Sequence, residues 1–441
     1  PKGFLRRTQD AGFEQVDEPR SPNRVKHSLK GALELGVIGL ATDTPSTRGI
    51  ETRSDRLVPE ADEAIDLEEP ISDNAFGLLL RRISSPSLTR SLHRAVKAEW
   101  TKRERLRPSD GWSKSTIAID GKHLATLTEA QLRHWVEADT DLEADELSTR
   151  QLRELYRSRW PEVQIRDHEA NDTTEPDEGL DGLIRVHRAT LISSEAATVI
   201  DQRSIPGHTN ESGEIVATLR SVCRTYGRTN MVQRVTMDAG HATRQAADVM
   251  QSNRVDYLMA LKETQGELFE MAQRRLGDRG GGEAVYSQTE DAKGKTVVYT
   301  LWREAIGREA CDWAGARQLI RVERMTIDNE GNQTIGNRYF VSSEPPAELT
   351  GSSLSRLVRS HWRCENEGHW TCDAIFDEDA RRTPWTTHPT GIVNVAVLRV
   401  IAINILALLR SMSRLRVGDQ LRPPTWRDVI EHAIQVRVES P

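Results

Sequence analysis

At 441 residues the chain is long enough for two or three domains and a real core, and its 37% hydrophobic and 29% charged residues fit a soluble globular protein. The formal net charge of −7 argues against a DNA ligand only until its placement is considered. Residues 137–181 hold 15 acidic and 5 basic side chains, so that removing their local −10 leaves the rest of the chain at +3, and a local basic face is what phosphate binding requires. Cys223, Cys311, Cys364 and Cys372, with no charged-then-apolar leader, predict a reduced cytoplasmic setting. The chain opens with Pro1 and reaches its first methionine at Met231, from which a truncated N-terminus is expected.

In chain order, residues 1–112 read as a helical N-terminal region. Apolar residues at helical spacing over 29–41 and an amphipathic segment over 76–100 flank an acidic stretch at 60–73. Residues 113–125 turn β-like and end on a charged motif. Residues 126–182 form an acidic insertion, read as a solvated surface excursion whose first half suits helix and whose end suits disorder. Residues 183–276 alternate strand, strand, helix, strand, helix, strand, with a hairpin over 183–204. Gly280-Gly281-Gly282 then breaks the pattern, and 277–349 reads as a β-rich insertion. Residues 350–412 are helical. The apolar run 392–409 contains Asn394, Arg399 and Asn404, which predicts a buried helix and no membrane span. A tail, 413–441, has a loop with Pro423-Pro424 and a short helix from Trp426.

Three acids sit where phosphodiester chemistry needs them. Asp120 ends Thr116-Ile117-Ala118-Ile119-Asp120-Gly121-Lys122, Asp238 ends Val235-Thr236-Met237-Asp238-Ala239-Gly240-His241, and Glu365 lies in His361-Trp362-Arg363-Cys364-Glu365-Asn366 within a helical pattern. Two carboxylates at the tips of buried strands and a third on a helix can hold two Mg²⁺ ions, which prefer hard oxygen ligands and keep waters for reaction. A metal pair activates the attacking oxygen and stabilises the leaving one. Each acid alone has a bland reading, as a turn residue or a solvated helical glutamate, so their weight is joint. The order of elements with acids at strand ends is the α/β, ribonuclease-H-like pattern.

The joint pattern resembles the ISAs-type, or H-repeat-associated, DDE transposases of bacterial insertion sequences. The likeness rests on Ile117 to Lys122, on Asp238-Ala239-Gly240-His241, on Asp256-Tyr257-Leu258-Met259-Ala260-Leu261-Lys262 with Gln265, and on Arg338-Tyr339-Phe340-Val341-Ser342-Ser343. Its strongest part is His361-Trp362-Arg363-Cys364-Glu365-Asn366-Glu367-Gly368-His369-Trp370, followed by Asp373, Phe376, Glu378-Asp379-Ala380 and Arg382. The resemblance implies DNA strand cleavage and strand transfer, with Asp120, Asp238 and Glu365 as catalytic acids and ligands of Mg²⁺, for which Mn²⁺ can substitute. It also implies element-end and target DNA as partners and a homo-oligomer in a synaptic complex. Gly240, Glu263-Thr264, Cys364, Cys372 and the long acidic insertion depart from the family pattern. Two alternatives stay open: a degenerate DNA-binding relic, and a metal-dependent nuclease that cuts without joining.

Around these acids, Lys122, His241, Trp362, Trp370 and Arg382 are candidate DNA contacts. Aromatic rings stack on unpaired bases, although core packing serves the two tryptophans equally, solvation serves Lys122, and a polar structural role serves His241. His361-x2-Cys364-x4-His369-x2-Cys372 has the residue types of a Zn²⁺ site, but four ligands from one helix would be strained, so Zn²⁺ is not expected. Gly294-Lys295-Thr296 is no phosphate loop, because Thr289 stands where the first glycine belongs.

Overall fold

The computed structural model describes residues 2–42, 44, 46–57, 65–167, 179–277, 283–292, 294–307, 309–376, 378, 385–413, 415–417 and 420–435. Ahead of the first strand come helices α1 (Lys2–Gln9), α2 (Leu29–Ala41), α3 (Thr47–Leu57), α4 (Asp73–Arg82) and α5 (Ser85–Thr101). The segment 76–100, expected as one amphipathic unit, is divided between α4 and α5. Ile83 and Ser84 are extended, and a proline stands in the first turn of α5. Proline lacks an amide donor and is tolerated at a helix start, so the helix restarts there.

The central region runs β1 (Thr116–Thr128), α6 (Glu129–Asp139), α7 (Thr149–Arg159), β2 (Val163–Asp167), β3 (Leu180–Leu191), β4 (Thr198–Ser204), α8 (Glu211–Tyr226), β5 (Arg234–Met237), α9 (Arg244–Ser252), β6 (Asp256–Leu261) and α10 (Glu267–Leu276). Strand β1 lies between antiparallel β3 and parallel β5; β5 continues in parallel to β6, and β3 pairs antiparallel with β4. The buried apolar residues Ile117, Ile119, Val235, Met237, Tyr257 and Met259 make these strands the core of the sheet.

The acidic stretch 126–182 differs from the expected solvated excursion. Capping boxes at Thr128/Gln131 and Ser148/Gln151 start α6 and α7. Their apolar faces bury Leu132, Val136, Leu152 and Tyr156 in a cluster with Trp160, Val163 and Ile392. The helices agree with the helical reading of the first half, the abundant charges occupy the opposite faces, and composition alone conceals that the apolar faces are buried. Residues 168–178, read as disordered, lie outside the described residues.

Strands β7 (Tyr286–Ala292), β8 (Lys295–Ala305), β9 (Gln318–Ile327) and β10 (Gln333–Ser342) form an antiparallel meander that continues the same sheet, because β10 pairs with β6 from Tyr339↔Leu261 to Ser342↔Leu258. The strand order is therefore β2-β3-β1-β5-β6-β10-β9-β8-β7, with β4 also on β3, ten strands in all.

After the sheet come α11 (Gly351–Ser360), a π-helix (Cys364–His369), α12 (Trp370–Ala374), α13 (Pro389–Met412), the small hairpin β11 (Leu415–Val417) and β12 (Gln420–Arg422), and α14 (Trp426–Gln435). The hairpin stands where the tail was expected to be loop. By length and composition α13 could cross a membrane, yet 89% of its apolar window is buried against the rest of the protein. It packs on α2, α4, α5 and β4. Its polar residues have buried partners: Asn394 donates to the carbonyls of Leu80 and Ile83, and Asn404 both accepts from and donates to the Val199 backbone. These bonds satisfy groups that would otherwise cost free energy in an apolar setting.

Candidate active site

Parallel register brings two of the acids together, although Asp120, expected at a strand end, lies within β1, which runs on to Thr128 paired with β3, and only Asp238 follows the end of its strand. Ile119 of β1 stands opposite Met237 of β5, so Asp120 and Asp238 follow at the same sheet edge. His241, three residues after Asp238, turns back on it: its backbone N–H donates to Asp238 Oδ1 at 3.0 Å, and its Nδ1 contacts the same oxygen. Ligand atoms of Asp120, Asp238 and His241 lie within 4.8 Å of one another, the one such cluster able to hold a metal among the described residues. Glu365 is outside that set but close enough for its charge to act on Asp120.

Glu365 sits on the π-helix and not on an ordinary α-turn, with the Trp370 amide bonded to the Glu365 carbonyl. Such single-turn π-bulges concentrate at functional sites. The turn is held on several sides. His361 Nδ1 lies 3.0 Å from Thr236 Oγ1 on β5, and His369 Nδ1 lies 3.5 Å from Asp120 Oδ2. Arg363 donates to the carbonyls of Ile192 and Ser194, just past β3. Lys122, buried on β1, pairs with Asp373 of α12.

The electrostatics divides the acids. Burial, with the charges of Glu365 and Asp238, raises the Asp120 carboxyl to about 6 against the pull of His241 and the Gly121 N–H. For Asp238 burial also pushes upward, but the hydrogen bond and charge of His241 outweigh it and bring the group down to about 2. Glu365 is raised, by burial and then by Asp238. Among the described residues no lysine or arginine forms an ion pair with Asp120, Asp238 or Glu365. Converging carboxylate oxygens that no lysine or arginine neutralises, with the His241 imidazole beside them, fit a divalent cation, the donor type that Mg²⁺ and Mn²⁺ take.

The remaining candidates are spread around this edge. Trp362 is partly buried, with the Arg338 guanidinium 4.6 Å above its ring. Trp370 is 57% exposed and lines a groove with Asn366, Arg410 and Trp426. His241 is buried against Asp238, and Lys122 is engaged by Asp373. Arg382 lies outside the described residues. The residues of the His/Cys spacing have separate partners. The Cys364 thiol donates to the His361 carbonyl, and Cys372 Sγ accepts from Arg188. Burial pushes both thiols up, Cys372 to about 12, so neither offers a ready thiolate.

Sequence reading missed Glu211. Its carboxyl lies over Gly121, where an added Cβ would meet it at 2.5 Å, and its Oε2 is 3.8 Å from His241 Nε2. In the sequence it is an acid after the N-cap Asn210, indistinguishable from any first-turn glutamate.

A profile of the transposase DDE domain matches residues 179–404. The chain is 28% identical over 185 residues to "H repeat-associated putative transposase YhhI" and to "Putative protein YbfL", both of Escherichia coli (strain K12), covering 39% of this chain and 47% of each relative. It is 23% identical over 207 residues to "Putative transposase YncI" of Escherichia coli O157:H7, covering 45% of this chain and 50% of that one. The chain spans about half the length of the curated relatives it matches. The profile takes in β3 to α13, and with them Asp238 and Glu365, while Asp120 joins them from outside the matched region through the register of β1. With more than half of its length matched around these acids, the chain belongs to the transposase DDE domain family.

Proposed function

We propose that this protein is a DDE transposase that cleaves the ends of an insertion sequence and joins them to target DNA, using Asp120, Asp238 and Glu365. The reading takes β4-β3-β1-β5-β6 as a ribonuclease-H-like core. The observation that carries it is the convergence of Asp120 and Asp238 just past the last parallel pair of β1 and β5, with ligand atoms within 4.8 Å of each other and of His241.

Asp120 and Asp238 would hold the cation, and Glu365 would complete the set from the π-turn. When bound, Mg²⁺, or Mn²⁺ in its place, supplies the positive charge that makes a water or a 3′-hydroxyl a good nucleophile and stabilises the leaving oxygen. The chain's own residues do the rest. His241 fixes the Asp238 carboxylate by two contacts to one oxygen. Lys122–Asp373 and His361–Thr236 fix the turn that presents Glu365. Trp370 and Arg410, on the exposed groove beside that turn, offer a stacking face and a phosphate contact to a DNA end. Hydrolysis would free a 3′-hydroxyl at the element end, and that hydroxyl would attack target DNA. No covalent protein–DNA intermediate is invoked, because the carboxylates are read as cation ligands and no other side chain is taken as a nucleophile. Two copies would hold the two element ends in a synaptic complex, in the cytoplasm.

The test is Mg²⁺- or Mn²⁺-dependent cleavage and joining on the host element's end DNA, comparing wild type with Asp120→Ala, Asp238→Ala and Glu365→Gln. Loss of both steps in all three variants is expected. Cutting without joining in the wild type would make the protein a nuclease, and a folded, DNA-binding but inert wild type would make it a relic.

A further inference from the structure

His241 is 1% exposed and uses its two ring nitrogens differently. Nδ1 faces the acid cluster, in contact with Asp238 Oδ1. Nε2 points the other way, is buried without a hydrogen-bond partner among the described residues, and lies 3.8 Å from Glu211 Oε2. The ring is braced edge-on by His187 at 5.1 Å between centroids. Glu211 reaches this place because Gly121 has no Cβ: one would meet the Glu211 carboxyl at 2.5 Å. Arg185 Nη1, 3.7 Å from Glu211 Oε1, balances its charge on the far side.

One nitrogen in a carboxylate cluster and the other toward an outer carboxylate is how metal-bound imidazoles are held. The outer acid accepts the second N–H, fixes the tautomer and raises the basicity of the ligating nitrogen. We propose that His241 is a third ligand, through Nδ1, of the cation held by Asp120 and Asp238, and that Glu211 orients it by accepting from Nε2–H. Binding the ion displaces the proton shared between Nδ1 and Asp238 Oδ1: the neutral ring then carries its one proton on Nε2, and Nδ1 turns a lone pair to the ion beside the Asp238 carboxylate. An imidazole in the set shifts preference toward borderline ions. Mg²⁺ is bound by oxygen and retains water, whereas first-row ions gain from nitrogen, so the site favours Mn²⁺ over Mg²⁺. This inference rests on the reading that Asp120 and Asp238 are cation ligands, and the experiment separates the two.

Mn²⁺ alone is added to the full chain without DNA, and bound ion is observed by pulsed electron paramagnetic resonance. Nitrogen modulation from a directly bound imidazole is expected in the wild type and absent in His241→Gln. The same variant should weaken Mn²⁺ by about tenfold or more, with a smaller change for Mg²⁺ measured by competition. Glu211→Gln should keep the nitrogen modulation and weaken Mn²⁺ by about tenfold. Circular dichroism checks that each variant folds, and His241→Gln separates the His241 nitrogen from that of His369, whose Nδ1 lies 3.5 Å from Asp120 Oδ2. Mn²⁺ whose binding needs Asp120 and Asp238 but shows no nitrogen modulation, or modulation that survives His241→Gln, overturns the inference and leaves the carboxylate reading standing. Mn²⁺ that does not bind, or binds equally well to Asp120→Asn and Asp238→Asn, removes both.

Discussion

Arg188 and Glu378 form a bidentate ion pair closed to solvent, with Arg188 Nη1 and Nη2 donating to Glu378 Oε2 and Oε1 at 2.7 and 2.8 Å. Arg188 is the register partner of Asp120 on β3, and Glu378 follows the helical turns that carry Glu365, so the pair joins the two sides of the site. Arg399 of α13 adds a contact to Glu378 at 3.3 Å. Removing one member strands a buried charge, which costs about 3–5 kcal/mol. Arg188→Met and Glu378→Gln should each lower the urea midpoint accordingly. The double variant should be less destabilised than the sum of the singles by at least about 1 kcal/mol. Additive losses would mean that the pair does not act as a unit.

Asp120 should be a stability liability without a cation. Its folded-state value, about 6, is above the ordinary carboxyl value, first through burial and then through Glu365 and Asp238. A raised group contributes stability that is complete below its unfolded value and lost as pH rises through its folded one. Asp120 therefore costs the metal-free protein stability above pH 6 or so, on the order of 1–3 kcal/mol. Asp120→Asn should raise Tm at pH 7 without divalent ions, abolish the further rise that Mg²⁺ gives the wild type, and abolish strand cleavage. A lower Tm in the variant would contradict this account.

The acids were legible because each lies beside a local pattern. The apolar runs before Asp120 and Asp238 are buried strands, and the Trp/His-rich segment around Glu365 is helical. Parallel pairing of β1 with β5 then does the rest. What stayed hidden depends on non-local geometry. Glu211 enters the site only because β1 has a glycine facing it. The helical first half of 126–182 was legible, but the burial of its apolar face was masked by charge, since a run of acidic residues looks the same whether or not one face is buried. The π-turn at Glu365 was invisible because α- and π-turns share residue preferences and differ in which carbonyl accepts each amide.

Three buried histidines should make the protein acid-sensitive well above the usual carboxyl range. Burial, the largest cause for each, lowers His187 and His369 to about 3 and His361 to about 4, with neighbouring positive groups helping. A lowered histidine stays neutral in the folded state while its unfolded counterpart protonates near 6.5. Its stabilising contribution is present above that pH and is lost as pH falls toward 4. Each contributes a slope of about 1.4 kcal/mol per pH unit within the window. Unfolding free energy should thus fall steeply between pH 6.5 and 4, and His187→Gln, whose ring meets Thr218 Oγ1 at 2.9 Å, should flatten the slope by about one proton. An unchanged slope in that variant would show that the ring stays protonated when folded.

The two tryptophans beside Glu365 should separate DNA binding from folding. Trp370 is 57% exposed on the groove rim, so Trp370→Ala should leave stability within about 0.5 kcal/mol of wild type. If its ring stacks on an unpaired base at the element end, the same variant should weaken end-DNA binding by about 1–3 kcal/mol. Trp362 is tied into the protein by the Arg338 guanidinium 4.6 Å above its ring, and Arg338 in turn draws the Glu365 carboxyl downward. Trp362→Ala should therefore lower Tm and reduce cleavage more than it reduces DNA binding. Fluorescence anisotropy on a fluorescent end oligonucleotide and thermal unfolding measure binding and stability of both variants, and a cleavage assay on the same end DNA measures the loss in Trp362→Ala. Equal losses of binding in the two variants would mean that neither ring is a specific stacking platform, and that the groove holds DNA through Arg410 and the backbone phosphates alone.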